Sequence, residues 1–283
     1  MSRNILALLA LLPALLPAQQ GFSFLQFSDP QFGMYTENRD FVQETANFEF
    51  AIATANRLKP PFVVVTGDLT NNHTADQIGE YHRIAARLDK SIKLYSVAGN
   101  HDVGNEPNPE LLAAYRQKYG PDYYTFRQGP DFEGIILNSS LIQHPDKAGD
   151  EAAKQEAWLV KELSAAQQAG IKHIVVFQHI PFFLEKGDEP DQYFNIPRAT
   201  REHYLAIFNK YGVREIFAGH YHRNADGRAG DIHMTTTGPV GKPIGPDPSG
   251  MRIIRVGPTG ISSEYVGFGS LPNDLNPAPA TSK

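Results

Sequence analysis

The sequence predicts an α/β protein folded as a four-layer α/β/β/α sandwich. Three observations predict it. Short runs of β-branched and aromatic residues alternate with longer segments of helical periodicity through residue 218. From residue 231 onward the chain carries strand patterns only, separated by Gly and Pro turns. Five of the strand patterns end directly in a turn bearing Asp, Asn or His.

Each element has its own justification. Residues 22–28 alternate and are aromatic-rich, which predicts the first strand. Residues 40–58 place Phe41, Phe48, Ile52 and Ala55 at helical spacing, and Pro60-Pro61 stops that helix. Residues 62–65 are Phe-Val-Val-Val, a continuous run typical of a strand buried on both faces. A second helix fits 76–90 and a third strand 92–97. This β-α-β-α-β order implies right-handed crossovers and a largely parallel first sheet. A helix over 108–119 precedes strands at 123–126 and 134–137. The pattern around Trp158, Leu159 and Leu163 predicts an amphipathic helix over 151–168. A buried strand at 173–177, a long loop over 181–197, a helix near 198–211 and a strand at 215–218 follow. The last strands fall at 232–237, 252–256 and 261–266. No internal repeat is visible. The domain is expected over 19–271, and the Pro/Asn/Ala-rich stretch 272–283 as a frayed tail.

Composition narrows the function classes. A net charge of −5 argues against nucleic acid or an anionic membrane as the main partner. With no cysteine, disulfides, thiolate metal sites, cysteine nucleophiles and a lipoprotein anchor are all excluded. Any metal must be held by oxygen and imidazole. Residues 1–18 resemble an export signal: Arg3 gives a positive start, residues 5–16 are almost wholly apolar, and Ala18 is small. Leu16 fits the usual cleavage pattern poorly, so the cleavage position stays open. The apolar stretch is short against the roughly 20 residues of a spanning helix, so no stable membrane span is expected. The expected location is outside the cytoplasm, periplasmic or secreted.

The chemistry gathers at the strand ends. The turns are Asp29-Pro30-Gln31, Gly67-Asp68, Gly99-Asn100-His101-Asp102, Gln178-His179 and Gly219-His220-Tyr221-His222. A lone Gly-Asp is ordinary turn chemistry, and a lone histidine is usually a surface or core residue. Five such turns on successive strand ends converge where α/β folds place their sites. A set of carboxylate, amide oxygen and imidazole suits a pair of divalent cations, and such a pair suits phosphate ester hydrolysis. A carboxylate at Asp68 can bridge two cations. The Asn100 carbonyl can complete the coordination of a second metal, which leaves His101 pointing toward substrate. His220 and His222 would share one face of an extended chain, one for each cation. His73, just beyond the Asp68 turn, lies within reach of a substrate phosphate. His82, His203, His144, His173 and His233 read as surface, helix or strand positions without a catalytic role.

These motifs, in this order, resemble the calcineurin-like metallophosphoesterase superfamily over residues 22–266. The resemblance implies the four-layer sandwich. It implies Asp29, Asp68 and His222 around a first metal and Asp68, Asn100, His179 and His220 around a second, with Asp68 bridging. Gln31 stands where the superfamily usually has histidine. Its neutral amide oxygen would weaken the first site or favour Mn or Mg over Zn. The resemblance implies two divalent ions, which would be Mn, Fe, Zn or Mg, with their identity left open. The stretches Asp29-Pro30-Gln31-Phe32-Gly33, Tyr193-Phe194-Asn195 and Gly219 to Asn224 are similar to the branch of calcineurin-like phosphoesterase domain-containing serine/threonine protein phosphatases. That branch is credited with dephosphorylating a protein kinase, a substrate that an exported protein would not meet in the cytosol. Asn71 stands where purple acid phosphatases need a tyrosine ligand. No arginine follows Asp68 to clamp phosphate, as it does in the large phosphoprotein phosphatases.

The expected function is phosphomonoester hydrolysis, phosphoproteins included, by a metal-activated hydroxide. His101 would protonate the leaving group, with Asp102 as its partner, and Asn100, His101 and His73 would touch substrate. A phosphodiesterase acting on cyclic nucleotides or other diesters is one alternative. A metal-poor phosphate-binding protein, suggested by Gln31, is the other. The sequence leaves the oligomeric state and the physiological substrate open.

Overall fold

The computed structural model describes residues 21–275. Two sheets stack face to face with helices on both outer sides, which is the four-layer arrangement expected. The first sheet contains β1 (Phe22–Phe27), β2 (Phe62–Thr66), β3 (Lys93–Val97), β10 (Gly250–Val256) and β11 (Ile261–Gly267), in the order β11-β10-β1-β2-β3. Only β1, β2 and β3 run parallel; β10 and β11 are antiparallel additions at the far edge. The second sheet contains β4 (Tyr124–Gln128), β5 (Phe132–Ile136), β6 (His173–Phe177), β7 (Glu215–Ala218), β8 (Ala225–Ala229) and β9 (Ile232–Thr236), in the order β4-β5-β6-β7-β9-β8.

Three apolar layers hold the four structural ones together, and strand periodicity decides which side chain serves which layer. In β2, Phe62 and Val64 face the space between the sheets, while Val63 and Val65 face the helices. In β6, Val175 and Phe177 face inward and Ile174 and Val176 outward. This two-sided burial explains why both strands read as unbroken apolar runs. Phe24 stacks on Phe62 at 4.5 Å and meets the edge of Phe177 at 5.8 Å, so aromatic rings from both sheets interlock. Each buried phenylalanine contributes about 1.5–3 kcal/mol relative to exposure.

Helices α1 (Val42–Leu58), α2 (Ala75–Ala85) and α4 (Pro109–Tyr119) belong to the first sheet's side. Helices α6 (Gly149–Gln168) and α7 (Arg198–Tyr211) cover the second. Lys59 closes α1 in the left-handed conformation, and Pro60-Pro61 prevents its continuation. The second helix ends at Ala85, five residues short of the expected 90. Asn56 of α1 explains this: its amide donates to the Arg87 carbonyl at 2.9 Å, and its oxygen accepts the Asp89 amide at 2.7 Å. The chain is drawn into a turn there instead of another helical turn.

Four short elements were not expected: α3 (Asn100–Val103), α5 (Ser139–Gln143), β8 and a 3-10 turn at Phe268–Ser270. The edge strand β8 carries Asp226 and Arg228 and hardly any apolar side chain, so it lacks the usual signal. The expected frayed tail is anchored at its start. Arg57 donates to the carbonyls of Pro272 and Asn273, and Leu275 is buried against the helix-side core. The export segment 1–18 lies outside the described residues. Among those residues, no helix is long and apolar enough to cross a membrane.

Strand register sets the site. Phe27 of β1 lies beside Val65 of β2, and Phe177 of β6 beside Phe217 of β7. The polar turns that follow are therefore level, and all emerge from the carboxyl ends of the strands.

The edge of the second sheet carries a titratable clasp. His233 of β9 donates toward Glu215 of β7 at 3.0 Å and Asp226 of β8 at 2.7 Å. The Glu215 hydrogen bond raises the imidazole above its ordinary value, burial opposes this, and Asp226 adds to it. A raised folded-state value means that the clasp stabilises fully below about pH 6.5 and fades as pH rises through the folded value. His233→Gln should therefore lower the melting temperature clearly at pH 6 and hardly at all at pH 9. Thermal denaturation at both pH values checks this.

Candidate metal centre

Five of the strand-end residues adopt a backbone that side chains usually avoid. Asp29, Gln31, Asp68, His220 and His222 have φ of 46°, 40°, 48°, 69° and 53°. Left-handed backbone in a residue other than glycine costs free energy and persists only where surrounding contacts impose it. Those contacts are visible. The Asp29 amide donates to the Gly67 carbonyl at 3.2 Å, and the Gln31 amide to the Asp68 carbonyl at 2.9 Å. Both Asp29 oxygens accept from the His220 amide at 3.2 Å, and Ser28 Oγ donates to Asp29 Oδ2. The expectation that His220 and His222 lie on extended chain is thus corrected. They sit in a tight turn closed by Tyr221 N donating to Gly219 O at 2.7 Å.

Close approach demands glycine at two positions. A methyl group on Gly99 would overlap the Asp68 amide nitrogen and Oδ1, and one on Gly219 would overlap Ser28 Oγ. Both glycines let one ligand turn pass against another.

The ligand atoms converge in two groups that share a carboxylate. Asp68, His179 and His220 present one set, and Asp29, Asp68 and His222 another. Within each, the ligand atoms lie within 4.8 Å of one another. All five residues are buried. Hydrogen bonds to carbonyls fix the ring nitrogens, because a carbonyl can only accept. His179 Nδ1 donates to Thr66 O at 2.8 Å, which leaves Nε2 facing Asp68 Oδ2 at 3.2 Å and Asn100 Oδ1 at 3.0 Å. His222 Nδ1 donates to Lys242 O at 2.6 Å, and its Nε2 faces Asp29 Oδ1 at 3.3 Å. His220 Nε2 lies 3.4 Å from Tyr193 O, which leaves Nδ1 for a ligand. Gln31 Oε1 is buried with no hydrogen-bond partner among the described residues, while its Nε2 is bound to Asn71 Oδ1 at 3.0 Å. An orphaned buried acceptor on the turn that follows Asp29 fits a cation, and the two carboxylate–imidazole groups suit two divalent ions.

The electrostatics match. Burial alone would raise Asp68, yet His179 holds it well below the usual carboxylate range. Burial would lower His179, but Asp68 and then Asp29 raise it to about 9. His222 is raised likewise, by Asp29 against burial. His220 falls to about 4 through burial and the neighbouring His179 charge. Ligation needs the neutral ring, so cation uptake at this cluster is linked to proton release.

The remaining expected residues separate into distinct places. Asn100 starts α3, with Oδ1 at the centre and Nδ2 donating to Asn105 Oδ1 at 2.8 Å. His101 is exposed at the rim, its amide donating to Asp68 Oδ1 at 2.9 Å and its Nδ1 to the Asn71 carbonyl at 2.8 Å. Asp102 is not its partner, contrary to expectation. It is buried and accepts the amides of Gly99 at 2.9 Å, Leu69 at 3.0 Å and Thr70 at 3.3 Å. Asp102 therefore braces the Asp68 turn, with burial and then the Asp68 charge pushing its carboxyl upward. His73 stands beside Thr70 Oγ1 at 3.5 Å and Tyr119, apart from the two ligand groups.

Sequence reasoning missed Gln26. Its Nε2 donates to Thr66 Oγ1 and to Ala218 O, both at 3.0 Å, and its Oε1 accepts from Thr237 Oγ1 at 2.7 Å. One side chain thus ties the two sheets beneath the ligand turns. A glutamine inside an aromatic strand was the available signal.

Comparison with known proteins follows this geometry. A family model described as calcineurin-like phosphoesterase matches residues 22–224. The chain is 35% identical over 266 residues to serine/threonine-protein phosphatase CPPED1 of Rattus norvegicus, covering 88% of this chain and 85% of that protein. The Homo sapiens counterpart is 34% identical over 267 residues, with the same coverage. Among solved structures, a dimetal phosphatase from Danio rerio superposes with a TM-score of 0.60 at 17% identity, covering 87% of this chain and 99% of that one. A purple acid phosphatase from yellow lupin gives 0.63 at 15% identity, covering 90% and 53%. At these identities the superpositions show a shared fold.

Asp68 belongs to both ligand groups, so its loss should affect both cations. Asp68→Asn keeps an acceptor for the His101 amide but removes the bridging charge. Its metal affinity should fall by more than the roughly 10–100-fold typical of losing a mere supporting partner. Elemental analysis of the purified variant, together with metal titration, checks this.

Proposed function

The chain belongs to the calcineurin-like phosphoesterase family, a metal-dependent hydrolase of phosphate esters, and from that premise we propose that it removes phosphate from alkyl monoesters, phosphorylated protein side chains among them, with His101 as proton donor. The protein-phosphatase naming of its relatives supports the substrate class. One observation carries the mechanism: a buried carboxylate shared by two ligand groups, with an exposed histidine whose own amide is bound to that carboxylate.

Asp29, Gln31, Asp68 and His222 would hold one divalent cation, and Asp68, Asn100, His179 and His220 the other. When bound, the two supply Lewis-acid activation of water and positive charge beside the phosphoryl oxygens. The chain's own residues do the rest. His101 Nδ1 stays engaged with the Asn71 carbonyl, so Nε2 is the atom that hands a proton to the departing oxygen. Its position on α3, fixed to Asp68 through the backbone, keeps that nitrogen at the rim where a leaving group must exit. Asp102 holds the Asp68 and Asn100 turns in register through three backbone amides. Gln31 supplies an amide oxygen that no other group among the described residues uses, which argues for a complete first site over a metal-poor one.

The leader-like residues 1–18 support work outside the cytoplasm. Mass spectrometry of the protein recovered from an exporting host should show a start near residue 19; an intact Met1 start would contradict export with cleavage.

An alkoxide needs a proton to leave, whereas nitrophenolate leaves without one. General acid catalysis is worth roughly 10²–10⁴-fold. His101→Gln should retain metal, lose that order of activity on an alkyl phosphate such as a phosphoserine peptide, and lose much less on an aryl phosphate. Equal losses on both substrates, measured as kcat/KM, would overturn the proton-donor role.

A further inference from the structure

The loop between β6 and α7 puts an aromatic residue over the ligand groups. Tyr193 is 61% exposed, yet its ring lies 5.1 Å from the His220 ring. Its carbonyl faces His220 Nε2 at 3.4 Å. Burial and the nearby Asp68 carboxylate raise its phenol above the ordinary value, with the Asn100 side chain acting against them. The residue therefore stands directly beside a ligand histidine with much of its side chain open to solvent.

Nothing about this placement is loose. Asn195, buried beside it, donates to Glu189 Oε1 at 2.7 Å and to Pro190 O at 3.0 Å, and accepts the Gln192 amide at 3.0 Å. Gln143 Nε2 donates to the Asn195 carbonyl at 3.1 Å, and the Ile196 amide to Pro181 O at 3.0 Å. The segment that carries Tyr193 is pinned at both ends. A large ring left exposed on a rigid segment is pre-organised for contact with something outside the protein. Phe194 extends the wall, its ring 5.7 Å from His220 and 5.0 Å from Tyr221.

The donors around the centre make the hydroxyl important. Among the described residues, no lysine or arginine side chain bonds to Asp29, Asp68 or Asn100. The Asn100 amide nitrogen is already committed to Asn105. A phosphoryl group entering here would find few neutral or cationic donors of the chain's own, and Tyr193 offers one.

We propose that the Tyr193 hydroxyl donates a hydrogen bond to a non-bridging phosphoryl oxygen of the substrate, and that its ring forms the His220 side of the substrate pocket. This rests on the phosphate-ester reading above. It makes Tyr193 a substrate-contacting residue whose role an arginine clamp would otherwise fill.

The test uses the metal-loaded full chain and inorganic phosphate as probe. Tyr193→Phe keeps the ring over His220 and removes only the hydroxyl. It should keep wild-type metal content and weaken phosphate binding, read by calorimetry, by roughly 10-fold or more, the scale of a hydrogen bond to a charged group. Tyr193→Ala should weaken it at least as much. Unchanged phosphate affinity in the Phe variant would overturn the proposal. Loss of metal in that variant would overturn it as well, by showing action through Asn100 or His220. Wild-type protein that binds no phosphate at all would do the same. If phosphate binding falls as expected but the wild type turns over no monoester, the contact stands and the phosphatase reading fails.

Discussion

The charge on Asp68 organises this protein. A fully desolvated carboxylate costs several kcal/mol unless opposite charge or strong donors meet it. Here it is buried, with Asp29 and Asp102 also buried nearby. Three carboxylates so close repel one another, and only an arrangement rich in donors can hold them. The backbone supplies part of the answer: the His101 amide meets Asp68, the His220 amide meets Asp29, and the Gly99, Leu69 and Thr70 amides meet Asp102. The imidazoles of His179 and His222 supply another part. Two divalent cations fit the remainder, and that is why the same arrangement is both a structural problem and a hydrolytic centre.

The site is also connected to the core by a continuous polar path. Arg252, buried in β10, donates to Thr237 Oγ1 at 2.8 Å and Asn224 Oδ1 at 2.9 Å. Burial draws the guanidinium down to about 10, with no carboxylate bound directly to it among the described residues. Thr237 donates to Gln26, Gln26 to Thr66, and Thr66 to Ser28 at 3.0 Å, which meets Asp29. Such a fully bonded network in a low-dielectric interior fixes positions that apolar packing alone would leave adjustable. It locks the ends of β1, β2 and β7 together, and the ligand turns inherit that rigidity.

Much of this was legible in the sequence. The strands buried on both faces announce themselves as β-branched runs, and their order implies the layering. Residues Asp29, Gln31, Asp68, Asn100, His179, His220 and His222 stand out because each closes such a run. What was not legible is conformational. Positive φ at His220 and His222 depends on a contact between the Asp29 carboxylate and an amide 191 residues away, which periodicity cannot reveal. The role of Asp102 was misread because adjacency to His101 in sequence says nothing of direction on a one-turn helix. The early end of α2 depends on Asn56, and β8 is polar because it is an edge. Except at β8, a hydrogen bond distant in sequence outweighed the local pattern.

The central claim is that Asp68 joins two cations. Anomalous X-ray diffraction from crystals grown with saturating Mn would test it most directly. The account predicts two peaks separated by about 3.5–4 Å, with Asp68 between them, Gln31 on the side of Asp29 and His222, and Asn100 on the side of His179 and His220. A single peak, or two peaks of which neither touches Asp68, would contradict it.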